Sequence, residues 1–230
     1  MQNKPLSFQP LEYAYFTIAI FNLLAVFIQY QPLIFATKPL LMCLLGLYFH
    51  QTTAPKKWNF AFFITAGLGA SIFGDTFLLG SSDGYFTAGL LSFLIAHLCY
   101  FVGFSQYKST KQGLLWTQYW WIAPFMLFWF TMNYLLWNKT GDLRLPVLIY
   151  SAVITAMSIG VVHLQGKTAA KLLLLGVLCF VVSDSFIAFS KFMPELGISH
   201  APFIIMFTYI IGQYGIAKGA IKVIENSVIE

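Results

Sequence analysis

Apolar segments of about twenty residues follow one another along nearly the whole chain, separated by short breaks where Pro, Gly and charged residues collect. A helix that crosses a hydrocarbon core roughly 30 Å thick takes about that many residues, and it satisfies its own backbone groups where lipid offers no partner. The breaks fall at Gln31-Pro32, His50 to Lys57, Ser81 to Gly84, Tyr107 to Leu115, Asn138 to Arg144, Gly166-Lys167 and Pro194 to His200. They predict an all-α polytopic membrane protein whose eight transmembrane helices lie near 11–30, 33–50, 58–80, 84–106, 116–137, 145–165, 169–191 and 201–222. Nothing is left over for a soluble domain, so residues 1–230 are expected to form one integral membrane domain. Trp58, Trp116 and Trp137 fall near segment ends, where an aromatic belt at the headgroups places them.

Composition agrees. A chain that is 59% hydrophobic, 18% aromatic and 9% charged has too little polar surface to cover a soluble globule. The net charge of +5 does not indicate nucleic acid, because the thirteen Lys and Arg residues are scattered singly and in pairs at the ends of apolar segments. Cys43, Cys99 and Cys179 are odd in number and lie inside apolar segments, which predicts buried thiols and no disulfide framework. The first apolar stretch lacks a small-x-small cleavage site and is expected to be a retained helix.

Eight crossings put both termini on one side, together with Lys4, Lys56, Lys57, Lys108, Lys111, Lys167, Lys171, Lys218 and Lys222. The other side holds Lys38, Lys139, Arg144 and Lys191. Nine against four predicts cytoplasmic termini, in the inner membrane if the protein is bacterial.

Two aspartates interrupt the apolar segments, in Gly74-Asp75-Thr76-Phe77 and Ser183-Asp184-Ser185-Phe186. An intramembrane carboxylate is unfavourable without a partner or a task, so the pair is expected to be the working part. Counted from Trp58 and Ala169 at about 1.5 Å per residue, they lie roughly 25 and 22 Å along their helices, toward the face opposite the termini. An offset of 109 residues superposes Asp75 on Asp184, Phe77 on Phe186, Tyr100 on Tyr209 and Gly103 on Gly212. The offset suggests a parallel four-plus-four repeat with halves 1–113 and 114–230, and functional sites of such proteins tend to lie between the halves.

Of two neighbouring carboxyls in low dielectric, one tends to stay protonated while the other ionises, which provides an acid and a base. That combination suits acid-catalysed cleavage of acetals and enol ethers, in which one carboxyl protonates and the other steadies an oxocarbenium ion or activates water. Unrelated packing aspartates, each bonded to a nearby hydroxyl, are the competing explanation. Lys38, in Thr37-Lys38-Pro39, is suited either to hold a phosphate or carboxylate or to snorkel to an interface. His97 and Tyr100 share a helical face, as do Tyr209 and Gln213. His97 is suited to shuttle a proton or orient a carboxylate, or simply to pack. No metal or cofactor is expected, since the four histidines fall at different depths and a zinc site needs three or more ligands at one depth. The sequence also lacks a Gly-x-Ser-x-Gly elbow and a phosphate-cradling glycine loop.

The ordered elements Lys38-Pro39, Ser71-Ile72-Phe73-Gly74-Asp75, Phe86-Thr87-Ala88-Gly89, His97-Leu98-Cys99-Tyr100, Phe180-Val181-Val182-Ser183-Asp184, and Tyr209 with Gln213 resemble the YhhN-like lysoplasmalogenase family. The resemblance implies an eight-helix membrane hydrolase that cleaves the vinyl ether of lysoplasmalogens to a fatty aldehyde and a glycerophospho-ethanolamine or -choline. It also implies Asp75 and Asp184 as the catalytic pair; from the positions of the other polar residues we expect Lys38, His97, Tyr100, Ser183, Tyr209 and Gln213 to bind substrate or support that pair. The expected partners are a lysophospholipid substrate and membrane lipids, with no nucleic acid; which aspartate is the acid, and the oligomeric state, stay open. A proton-coupled transporter of small solutes would use the same polar residues and repeats, and a non-enzymatic lipid-binding protein is a third reading. Access from one face only would separate a hydrolase from a transporter.

Overall fold

The structure, a computed structural model, describes residues 10–53, 59–107, 112–165 and 170–227. Its helices are α1 Pro10–Phe27, α2 Gln31–Thr53, α3 Asn59–Phe77, α4 Asp83–Gln106, α5 Ala123–Leu136, α6 Arg144–Gln165, α7 Lys171–Phe192 and α8 Ala201–Ser227. Seven of them, all but α5, are long and apolar enough to cross a membrane. The chain is therefore an all-α, multi-pass membrane protein. Large apolar side chains such as Phe62, Phe73, Leu127, Phe130 and Leu175 stay exposed around the bundle, as a surface in contact with lipid requires. Lys4, Lys56, Lys57, Trp58, Lys108, Lys111, Lys167 and Ala169, used above for orientation and depth, lie outside the described residues.

The fifth helix differs from the expected 116–137. Two 3-10 turns, Leu114–Trp116 and Tyr119–Ile122, replace its first part, and regular α-helix begins only at Ala123, with Pro124 in the first turn. A proline lacks the amide hydrogen and its ring crowds the carbonyl four residues back, so it is tolerated at a helix start and not inside one. The fourteen residues of α5 span about 21 Å, less than the hydrocarbon core. At the other extreme α8 runs past 222 to Ser227. Lys218 does not end it, because that ammonium is accommodated by Glu12 at 2.6 Å and the Tyr48 hydroxyl at 2.7 Å.

α1 and α8 run antiparallel: Glu12 meets Lys218, the Tyr15 hydroxyl donates to the Ile210 carbonyl at 2.8 Å, and Phe27 meets Phe203. The start of α1 and the end of α8 thus share one end of the bundle. α2 packs on α1, α3 and α8, while α6 packs on α5, α7 and α4. The α7–α8 crossing is close because a Cβ on Gly176 would come within 2.5 Å of the Ile216 backbone nitrogen, and only glycine lets the two backbones approach so far. Toward the end that holds the start of α1, the bundle is filled by Leu45, Phe49, Phe60, Ile64, Val161 and Ala220. The three cysteines are free and half-buried.

Candidate active site

Each aspartate has its own set of polar neighbours. Asp75, two residues before the end of α3, is 1% exposed. Its Oδ1 lies 3.7 Å from the Lys38 ammonium of α2, and its Oδ2 accepts a 2.6 Å hydrogen bond from Tyr209 of α8. One turn deeper, the Tyr100 hydroxyl donates to Gln213 Oε1 at 2.8 Å, and Gln213 Nε2 donates to Ser71 Oγ at 3.0 Å. α2, α3, α4 and α8 thus meet around one carboxylate. Tyr100 fits because Gly67 has no side chain: a Cβ there would fall 2.3 Å from the tyrosine ring.

Asp184 sits on α7 with eight residues of helix beyond it. Its Oδ2 accepts a 2.5 Å hydrogen bond from Tyr150 of α6 and lies 3.4 Å from His97 Nε2 of α4. Its Oδ1 is buried and has no hydrogen-bond partner among the described residues. Between the two aspartates stands an aromatic group in which Phe180 touches His97, Phe93 and Tyr209 with ring centroids 4.8, 6.0 and 5.5 Å away.

Five of the expected residues therefore gather on the Asp75 side or on Asp184: Lys38, Tyr209, Tyr100 and Gln213 with the first, His97 with the second. His97 and Tyr100, which share a helical face, serve different carboxyls. Ser183 does not join either group; its hydroxyl donates to the Ile205 carbonyl at 3.1 Å and ties α7 to α8. Tyr150 and Ser71 were not singled out from the sequence as site residues. A signal for Tyr150 existed, since a tyrosine hydroxyl in mid-span needs a partner when buried.

Two cavities adjoin the pair. A wider vestibule, with polar side chains set among mostly apolar walls, opens at the end of the bundle opposite the start of α1, between the α1–α2 turn, the α3–α4 turn and the α7–α8 connection. Gln29, Gln31, Lys191 and His200 line it, with Lys38 among its walls and 13% of that side chain exposed. At its rim Lys191 donates to Asp83 at 2.7 Å and lies over the Phe86 ring. Nearby, Lys139 donates to the exposed Glu195, which holds that carboxyl below its usual range. The second cavity is a narrow apolar slot of about 60 Å³ among α4, α5, α6 and α7. Leu78, Phe86 and Ile187 line both cavities, so the slot and the vestibule lie next to each other across these three side chains. Among the described residues no group of three His, Cys, Asp or Glu side chains comes together as a metal set.

The arrangement places a cavity that carries lysines next to an apolar slot, with Asp184 on the slot's wall and Asp75 behind Lys38. The family model described as the YhhN family matches residues 33–220. Lysoplasmalogenase TMEM86A of Bos taurus is 31% identical over 169 residues, an alignment that covers 69% of this chain and 65% of the bovine protein. The chain thus spans about two-thirds of that relative's length. No solved structure matches it.

Proposed function

The chain belongs to the YhhN family, and from that premise we propose that it is a membrane hydrolase acting on the vinyl ether bond of lysoplasmalogens, releasing a fatty aldehyde and a glycerophospho-ethanolamine or -choline. The observation that carries this reading is the adjacency of a lysine-bearing vestibule and an apolar slot one helical turn from both aspartates. Leu78 follows Asp75, and Ile187 follows Asp184, by three residues, a rise of about 4.5 Å. A lysophospholipid has the same two-part chemistry, and its vinyl ether lies where the parts join. The bovine relative bears the name of that activity.

The chemistry needs an acid and a carboxylate. The carboxylic acid delivers its proton to the outer vinyl carbon, and the ether oxygen's lone pair forms the oxocarbenium ion. The ionised carboxylate faces the developing positive charge and takes a proton from water as its oxygen adds to the carbon bonded to the ether oxygen. The hemiacetal then collapses: its hydroxyl loses a proton, the bond to the glycerol oxygen breaks, and that oxygen takes a proton. One water is consumed per aldehyde released. No cofactor or metal enters this scheme. Lys38 and Lys191 supply positive charge for the substrate phosphate, and Tyr209, Tyr150 and His97 hold the carboxyls in place.

Access also bears on the alternative of transport. The vestibule opens at one end of the bundle, and the packed layer of Leu45, Phe49, Phe60, Ile64 and Val161 fills the other. That asymmetry supports an enzyme fed from one face. We place that face opposite the cytoplasmic termini. We also read residues 1–230 as one domain of two parallel halves, supported by the exchange of partners: α8 of the second half serves Asp75, and α4 of the first serves Asp184.

The test is aldehyde release from lysoplasmenyl-ethanolamine by purified protein in detergent, with chelator present, beside Asp75→Asn and Asp184→Asn. Each substitution is expected to lower turnover by about 10²- to 10⁴-fold, the usual contribution of a general acid or base. No aldehyde from folded wild-type protein, or full activity in either variant, would defeat the proposal.

A further inference from the structure

The slot among α4, α5, α6 and α7 separates the two aspartates. Asp184 lines it; Asp75 lines neither cavity. Asp184 is also the more exposed, 8% against 1%. Both oxygens of Asp75 are engaged, one beside the Lys38 ammonium and one by the Tyr209 hydroxyl, which is the environment of an ionised carboxylate. Asp184 has no lysine or arginine beside it among the described residues, only the His97 imidazole 3.4 Å from Oδ2; its single hydrogen bond, from Tyr150, also falls on Oδ2, and Oδ1 has no partner there. Asp184 thus borders the apolar slot with one buried carboxyl oxygen unpaired among the described residues, which is unfavourable for a carboxylate and much less so for a carboxylic acid.

The remainder of the slot is hydrocarbon in character. From the junction at Leu78, Phe86 and Ile187 it runs past Asp184 to Phe93, Phe128 and Ile154. On α6 the lining extends from Val147 to Ile154, about 10 Å along the helix axis. A chain entering from the vestibule therefore passes the Asp184 carboxyl just below the junction and ends against Phe128 and Ile154.

We propose that this slot is the binding site for the alkenyl chain of the substrate, and that Asp184 is the proton donor while Asp75, paired with Lys38, is the ionised carboxylate. The assignment rests on the hydrolase reading above and adds to it which carboxyl does what and what sets chain selectivity. The proton leaves the Asp184 carboxyl for the outer vinyl carbon, the O–H electron pair stays on the carboxylate, and the vinyl π electrons form the new C–H bond. Asp75 takes the proton from the attacking water.

Two measurements test it on the full-length protein in detergent. The first compares hexenyl and decenyl lysoplasmenyl-ethanolamine in Phe128→Ala and Phe128→Trp. The larger residue shortens the far end and is expected to lower the long-to-short ratio of kcat/KM by about fourfold per methylene excluded; the smaller residue is expected to raise it. The second treats the protein with dicyclohexylcarbodiimide, an apolar reagent that takes the proton of a carboxylic acid and bonds to its oxygen, and maps the adduct by peptide mass. Modification at Asp184 and not Asp75, blocked by an uncleavable decyl-ether lysophospholipid, is the expected result. An unchanged chain-length ratio in both variants would overturn the slot even while aldehyde is still released. Modification of Asp75 alone, or of Asp184 without protection by the ether lipid, would overturn the assignment. Failure of wild-type protein to release aldehyde would instead defeat the hydrolase reading, and the carbodiimide experiment would still decide whether the slot takes a hydrocarbon chain.

Discussion

Replacing Tyr209 by Phe removes one oxygen and leaves the ring, which is buried and packed edge-on to Phe93 and Phe180 at 5.9 and 5.5 Å. The lost hydroxyl is the 2.6 Å donor to Asp75 Oδ2. A hydrogen bond to a charged group contributes about 1.5–3 kcal/mol net, and if Asp75 must be ionised to face the oxocarbenium ion, that contribution is lost from the transition state. At about 1.4 kcal/mol per decade the expected fall in kcat/KM is about 10- to 150-fold. Lys38 stays beside Asp75, so the effect should be smaller than that of Asp75→Asn. Aldehyde release, followed continuously through a coupled dehydrogenase, measures it. Because the hydroxyl acts through Asp75, Tyr209→Phe should add less than a twofold change in an Asp75→Asn background, the coupling expected of two groups in contact. A Tyr209→Phe protein within twofold of wild type, or the full additional loss in the Asp75→Asn background, would refute the reasoning.

Two further outcomes concern the frame around the site. Gly67→Ala places a Cβ 2.3 Å from the Tyr100 ring, which must withdraw and stretch the Tyr100–Gln213–Ser71 chain. Overpacking of that kind costs about 1–3 kcal/mol, so thermal unfolding in detergent should begin about 2–12 °C earlier. Glu12→Gln leaves the Lys218 ammonium with Tyr48 but without its carboxylate, at the end of the bundle away from the vestibule. It should destabilise by about 3 kcal/mol, the lower part of the range for a broken buried pair, while KM and chain-length preference stay unchanged. A shift in either kinetic quantity would mean that this cluster is coupled to the site.

Much of the architecture could be read from hydropathy because lipid imposes one rule on every crossing segment: the backbone must bond to itself over a set length. α4 and α6 accordingly begin and end within a residue of their expected bounds. The rule fails where local chemistry competes with it. The run 116–137 is predominantly apolar, yet Pro124 confines regular helix to its second part, because hydropathy does not register a missing amide hydrogen.

Lys38, Asp75, His97, Tyr100, Asp184, Tyr209 and Gln213 stood out in the sequence because a polar group in an apolar helix must find a partner, and that penalty marks it wherever the chain folds. Which partner it finds is a matter of helix packing. Helical spacing put His97 and Tyr100 on one face, but α4 lies between α3 and α6, so the histidine turns to Asp184 and the tyrosine to Gln213. Tyr150 joins Asp184 across 34 residues of chain, a contact no local pattern encodes. The sequence by itself therefore determined the membrane class, most of the helices and the identity of the two carboxyls. Only the tertiary structure decided that one carboxyl is held by a lysine and the other borders an apolar slot, because burial, neighbouring charge and cavity shape arise from residues far apart in the chain.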